Sequence, residues 1–175
     1  LYHSVEHTER VELAAIKYAK LEKVTEHDLF ILRTAALFHD SGFLIRYENN
    51  ESLAVDTLRY YAPKFGYSEQ DLARIEQIIL ATAYGEQPEN LLSEIMCDAD
   101  LDYLGRLDYH VTAKNLFDEM ALFGQNYSEE ERLNMQIDFL ENQHSYFTNS
   151  AKNLRNPGKQ KRLLELYQRL KKLRP

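Results

Sequence analysis

Cysteine is almost absent from this chain. Cys97 stands alone among 175 residues, so no intramolecular disulfide can form and the fold must rest on its apolar core. A lone thiol fits a reducing compartment, and the expectation is a cytoplasmic protein. Long apolar runs are missing as well. No stretch approaches the ~20 residues of a membrane span, and the first residues lack the layout of a signal peptide. Basic charge is in deficit, with 21 Lys and Arg against 28 Asp and Glu and a formal net charge of −7. That balance argues against broad electrostatic binding to nucleic acid or to an anionic membrane. It leaves room for a small phosphorylated ligand held locally.

Six glycines and four prolines leave few breaks, and the apolar spacing between them is helical. Helices are expected over residues 6–21, 26–38, 51–61, 68–83, 91–104, 108–123, 128–144 and 159–173. Thr25 reads as an N-cap with Asp28 as an acidic partner in the first turn. Asn156-Pro157-Gly158 reads as a break before the last helix. No alternating run is long enough to demand a sheet. The expectation is an all-α, single-domain helical bundle spanning 1–175. Because the chain starts at Leu1, directly on Tyr2-His3, it reads as a piece of a longer one, with room for an upstream domain or a homodimer.

Against this ordinary frame stand chemically specific residues in three separated segments. His39-Asp40 closes an apolar helix at Ser41-Gly42. His3 and His7 lie four apart near the start, on one helical face if the helix begins early. Asp98, Asp100 and Asp102 alternate in an otherwise helical stretch. Histidine and carboxylate ligands drawn from distant segments are what a hard or borderline divalent ion requires, and packing alone does not need them. Adjacent helical residues point about 100° apart, so His39 and Asp40 reach one ion only where their helix ends. Asp98 and Asp100 face opposite ways, while Asp98 and Asp102 would share a face. His27-Asp28 is a decoy, because Asp28 has a sufficient capping role at the polar end of the same helix. Arg10, Arg46 and Arg106 read as surface arginines before phosphate ligands, Thr82 as a core threonine bonded to its own backbone, and Cys97 as a small buried residue. Tyr60-Tyr61 and Tyr146-Phe147 read as half-buried aromatics.

The segments Tyr2-His3-Ser4-Val5-Glu6-His7, Leu37-Phe38-His39-Asp40-Ser41-Gly42 and Asp98-Ala99-Asp100-Leu101-Asp102 together resemble the HD-domain superfamily of metal-dependent phosphohydrolases. The first also resembles the Tyr-His-Asn-x-x-His motif of cyclic-nucleotide phosphodiesterases. The resemblance implies a helical bundle of that type, with His7, His39 and Asp40 as metal ligands and His3 as general acid. For the fourth ligand the upstream match favours Asp100 and the shared face with Asp102 favours Asp98; Asp100 is expected, with Asp98 second. The segment Glu48-Asn49-Asn50-Glu51-Ser52 departs from relatives that carry a further histidine there. Glu51 is then the residue to orient a water or a metal-bound hydroxide, and a single ion, or a second one held only by Asp40 and waters, fits better than a full two-metal site.

The function so implied is hydrolysis of a nucleotide or related small phosphate ester, by water activated at a divalent ion that sequence does not narrow among Mn, Mg, Fe, Zn and Ni. A regulatory or sensory module with little turnover is the alternative, and a diiron oxygenase a more distant one.

Overall fold

A computed structural model of the chain describes residues 1–173. Among these the structure is all-α, with eight α-helices and no strand. The helices are α1 (Val5–Leu21), α2 (Glu26–Phe38), α3 (Asn50–Tyr61), α4 (Glu69–Leu80), α5 (Leu91–Asp100), α6 (Tyr109–Leu122), α7 (Glu129–Asp138) and α8 (Asn149–Leu173). None of them is long and apolar enough to cross a membrane. The residues group into two compact units, one of His3–Asp100 and one of Leu1–Tyr2 together with Leu101 onward.

In the first unit α2 is the central element, packed against α1, α3, α4 and α5. Ile31, Leu32, Ala35 and Ala36 of α2 are wholly buried, each large aliphatic adding about 1.5–3 kcal/mol. The alanines on α2 and on α1 (Ala14, Ala15 and Ala19) keep the helices close. Helix starts follow their polar caps. The Ser4, Thr25 and Ser68 hydroxyls accept from the amides of His7, Asp28 and Asp71, satisfying donors that the first turn leaves unpaired. His27 bonds Asp71 at 2.9 Å and Asp28 pairs with Arg74, so the decoy pair is structural.

The second unit is built from α6, α7, α8 and a short 3-10 turn at Asp102–Gly105. The expected break at Asn156-Pro157-Gly158 is overturned: α8 runs unbroken from Asn149 to Leu173 with Pro157 inside it. A proline in a helix interior costs about 3 kcal/mol through its missing N–H and its ring. What offsets it is a close helix-to-turn contact. A β-carbon on Gly158 would fall 1.9 Å from the Gly105 carbonyl oxygen, and one on Gly105 would fall 2.5 Å from the Arg155 carbonyl oxygen. Beside this contact Arg155 makes two bonds to the buried Asp102 carboxylate, at 2.6 and 3.0 Å. Gly158 therefore serves an approach, not a turn. Three other expectations change. Residues 101–104 do not continue α5, Tyr60 and Tyr61 are exposed rather than half-buried, and Tyr146 is fully buried.

Gly158→Ala should lower the stability of the chain by about 1–3 kcal/mol, as overpacking does, whereas Pro157→Ala should leave it equal or higher. Urea unfolding of the two variants beside the parent checks both; an unchanged midpoint for Gly158→Ala would contradict the close contact.

Candidate metal centre

Three helix ends of the first unit converge on one pocket. His7 comes from the first turn of α1, His39 and Asp40 from the end of α2, and Asp100 from the last residue of α5. The α2 helix stops at Phe38, with His39 as its C-cap, and Asp40 leaves helical geometry at φ −98° and ψ 4°. That departure turns the neighbouring side chain back, so that His39 and Asp40 face the same point. A 3-10 turn at Ser41–Leu44 then follows. Gly42 is required there, because a β-carbon would lie 1.8 Å from the Asn50 carbonyl oxygen at the start of α3.

Each carboxylate approaches both imidazoles closely. Asp40 Oδ2 lies 3.1 Å from both His7 Nε2 and His39 Nε2, and Asp100 Oδ1 lies 3.1 Å from His7 Nε2 and 3.6 Å from His39 Nε2. Ligands about 2.1 Å from an ion stand about 3.0 Å apart at cis octahedral positions and about 3.4 Å apart in a tetrahedron. His39 Nε2 and Asp40 Oδ2, both shielded from solvent, nevertheless make no hydrogen bond of acceptable geometry. His39 Nδ1 donates to the Ala36 carbonyl oxygen at 2.8 Å, which in the neutral ring leaves the lone pair on Nε2, as a metal ligand requires. The ligand atoms of His7, His39 and Asp100 all lie within 4.8 Å of one another, and this group could hold a metal ion; Asp40 falls outside that mutually close set, although its Oδ2 is 3.1 Å from both imidazoles.

Electrostatics agree with that chemistry. Burial alone would lower the His7 pKa, but the Asp100 and Asp40 carboxylates outweigh it and raise the imidazole to about 9. His39 is buried more deeply, and the same two carboxylates carry it well above its ordinary value. Burial opposes ionisation of Asp40 and Asp100, yet the imidazoles hold Asp40 far below the usual carboxylate range and Asp100 at about 2. A pocket that attracts protons this strongly attracts a divalent cation by the same charges.

The remaining expected residues are placed as follows. His3 stacks on Phe43, with ring centroids 3.6 Å apart and planes 19° apart, and its centroid is 6.1 Å from that of His7. Glu51 occupies the first turn of α3, half-buried, and is not among the converging groups. Asp98 is wholly buried, outside the convergent set. Asp102 does not share its face, because α5 ends at Asp100. Arg10 pairs with Glu6 at 2.6 Å, Arg46 donates to the Glu48 carbonyl oxygen and Arg106 grips Asp108 through two bonds. Thr82, just past the end of α4, donates to the Ile79 carbonyl oxygen. Cys97 donates to the Ala81 carbonyl oxygen, and burial pushes its thiol up to about 12, which leaves it inert.

Sequence reasoning missed the aromatic wall beside His3, where Phe43 and Tyr47 meet edge to face at 5.3 Å. The signal was present as two rings four residues apart after the His-Asp turn. It also missed Ser41, whose hydroxyl is shielded from solvent beside Asp40 without a hydrogen-bond partner. Compared with family models, curated proteins and solved structures, the chain matches none.

In protein stripped of metal, the raised His7 pKa stabilises the fold fully below the ordinary histidine value of 6.5. That contribution disappears as pH rises towards about 9. The depressed Asp100 acts the other way, its contribution being present above pH 3.8 and lost as pH falls towards about 2. Thermal unfolding of chelated protein should therefore peak in the mildly acidic range and weaken through pH 7 to 9. A flat profile over that interval would contradict the paired imidazoles.

Proposed function

We propose that this chain is a metal-dependent phosphohydrolase of the HD type, acting on a nucleotide or related small phosphate ester. The observation that carries the reading is the convergence of His7, His39, Asp40 and Asp100 from three separate helix ends, with His39 Nδ1 tied to a backbone carbonyl. In this reading those four residues hold a divalent cation. Such an ion supplies Lewis acidity towards a phosphoryl oxygen and lowers the pKa of a coordinated water.

The chain's own residues do the rest. The Ala36 carbonyl fixes the His39 tautomer. His3 is the proton donor to the leaving oxygen; its stacking on Phe43 sets the plane of the ring beside the cluster. Glu51 orients a water, on a helix whose first residue, Asn50, is packed against Gly42 of the His-Asp turn. The partial burial of Asp40 and Asp100 keeps the pocket low in dielectric, where charge interactions are stronger than in water.

Metal content of the purified chain, measured beside Asp40→Ala and Asp100→Ala, tests the reading when joined to Mn²⁺-supplemented hydrolysis of a phosphodiester and a nucleotide panel. The expected result is bound divalent metal and turnover in the parent, both lost in the variants. Metal without turnover on any substrate would favour a regulatory module, and no metal would remove the site. His3→Ala should retain metal and lose about 100-fold or more in kcat, as loss of a general acid does. Equal loss of metal in that variant would show instead that His3 is a ligand.

A further inference from the structure

The second unit contains a cleft of about 440 Å³ between α6, α7 and α8, a volume in the range of small-molecule sites. Its lining is basic, with Lys114, Arg132, Arg169 and His110 against one carboxylate, Glu129. Arg132 is the informative residue. Its guanidinium carbon lies 5.5 Å from the centroid of the Phe117 ring, and its Nε donates to the Tyr127 carbonyl oxygen at 3.0 Å. Two contacts thus fix the plane of the guanidinium on a half-buried side chain. Among the described residues no carboxylate is bonded to it: Asp118, near enough to feel its charge, is bonded by Lys114, and Glu129 by Arg169. An oriented guanidinium with no carboxylate bonded to it presents its terminal N–H groups as a fork for an oxyanion.

The surroundings fit that role. Tyr127 and Gln136 supply an aromatic ring and an amide to the same cleft. At its edge His110 is held by Glu165 at 2.9 Å, and Glu165 is also bound by the buried Arg162 at 3.2 Å. Glu129 is exposed and able to swing from Arg169 when an anion arrives. The contrast with the cleft of about 540 Å³ lined by residues between Glu22 and Leu92 is direct, because its arginine, Arg74, is already paired with Asp28.

We propose that this cleft is a second binding site, separate from the His/Asp cluster, for a small molecule bearing a phosphate or carboxylate group. Arg132 grips the oxyanion through its fork, while Lys114 and Arg169 add charge at the rim.

The test is a titration of the isotopically labelled full chain with inorganic phosphate, citrate and a nucleoside 5′-monophosphate, followed by NMR at Tyr127, Arg132 and Gln136. The expected result is saturable shifts there with at least one probe at millimolar concentration, weakened by about tenfold or more in Arg132→Gln. Arg132→Lys, which keeps the charge and loses the fork, should be weakened as well, and the parent treated with a metal chelator should bind as before. Phosphate binding without citrate binding assigns the site to phosphate groups, and the reverse assigns it to carboxylates. If Arg132→Gln fails to fold, Arg169→Gln, at an exposed position, should still weaken binding several-fold. Absence of saturable shifts with all three probes would overturn the proposal. So would shifts that persist unchanged in Arg132→Gln or vanish from the parent when a metal chelator is added.

Discussion

Two carboxylates pressed against two imidazoles in a partly dry pocket impose the main constraint on the first unit. Buried charge is expensive unless it is compensated, so His7, His39, Asp40 and Asp100 stand or fall as a set. Assembling the set requires three helices to end at the same place. It also requires α2 to end one residue before His39 rather than continue through it. A longer α2 would turn Asp40 about 100° away from His39 and leave a carboxylate stranded in the core. Much of the local backbone serves that termination: the off-helix Asp40, the 3-10 turn after it, and Gly42 pressed against Asn50.

The same constraint reaches into the packing. The alanine-rich faces of α1 and α2 bring their axes close, and the proximity of α1 to both α2 and α5 carries His7 to its partners. Ser4 matters here out of proportion to its size, because its hydroxyl caps the turn that holds His7 and accepts from the His7 amide at 3.3 Å. A frayed first turn would draw His7 away from the two carboxylates that face it. His3, one residue before that cap, is kept in place by the Phe43 ring rather than by the helix.

The helices were legible because the apolar period is 3.6 and the caps are polar residues in the expected places. The cluster was legible because packing gives no reason for His39-Asp40 at the end of a buried helix. Less legible was anything decided by contacts between distant segments. Asn156-Pro157-Gly158 has the local chemistry of a break, but Gly158 answers to Gly105, some fifty residues away in sequence. The case for Asp98 through a face shared with Asp102 assumed that α5 continues. It stops at Asp100, and Asp102 pairs with Arg155 instead. Local pattern sets the element; where the element ends is settled by what it meets. Arg132 illustrates the same limit, since nothing near it in sequence announces the ring it lies on or its lack of a bonded carboxylate.

Charge arithmetic links the two states available to the cluster. Two protonated imidazoles and two carboxylates sum to zero, and two neutral imidazoles, two carboxylates and a divalent cation sum to zero as well. Exchanging two protons for one ion would thus conserve the charge of the cluster, and such an exchange grows more favourable as pH rises. A bound phosphate would break this balance by adding negative charge. Arg10 and Arg46, the first unit's two candidate phosphate ligands, are engaged by Glu6 and by the Glu48 carbonyl. An incoming phosphate would thus find no waiting guanidinium among the candidates at this centre, in contrast to the cleft of the second unit. That division of charge separates a centre suited to polarising a bond from a cleft suited to holding an anion.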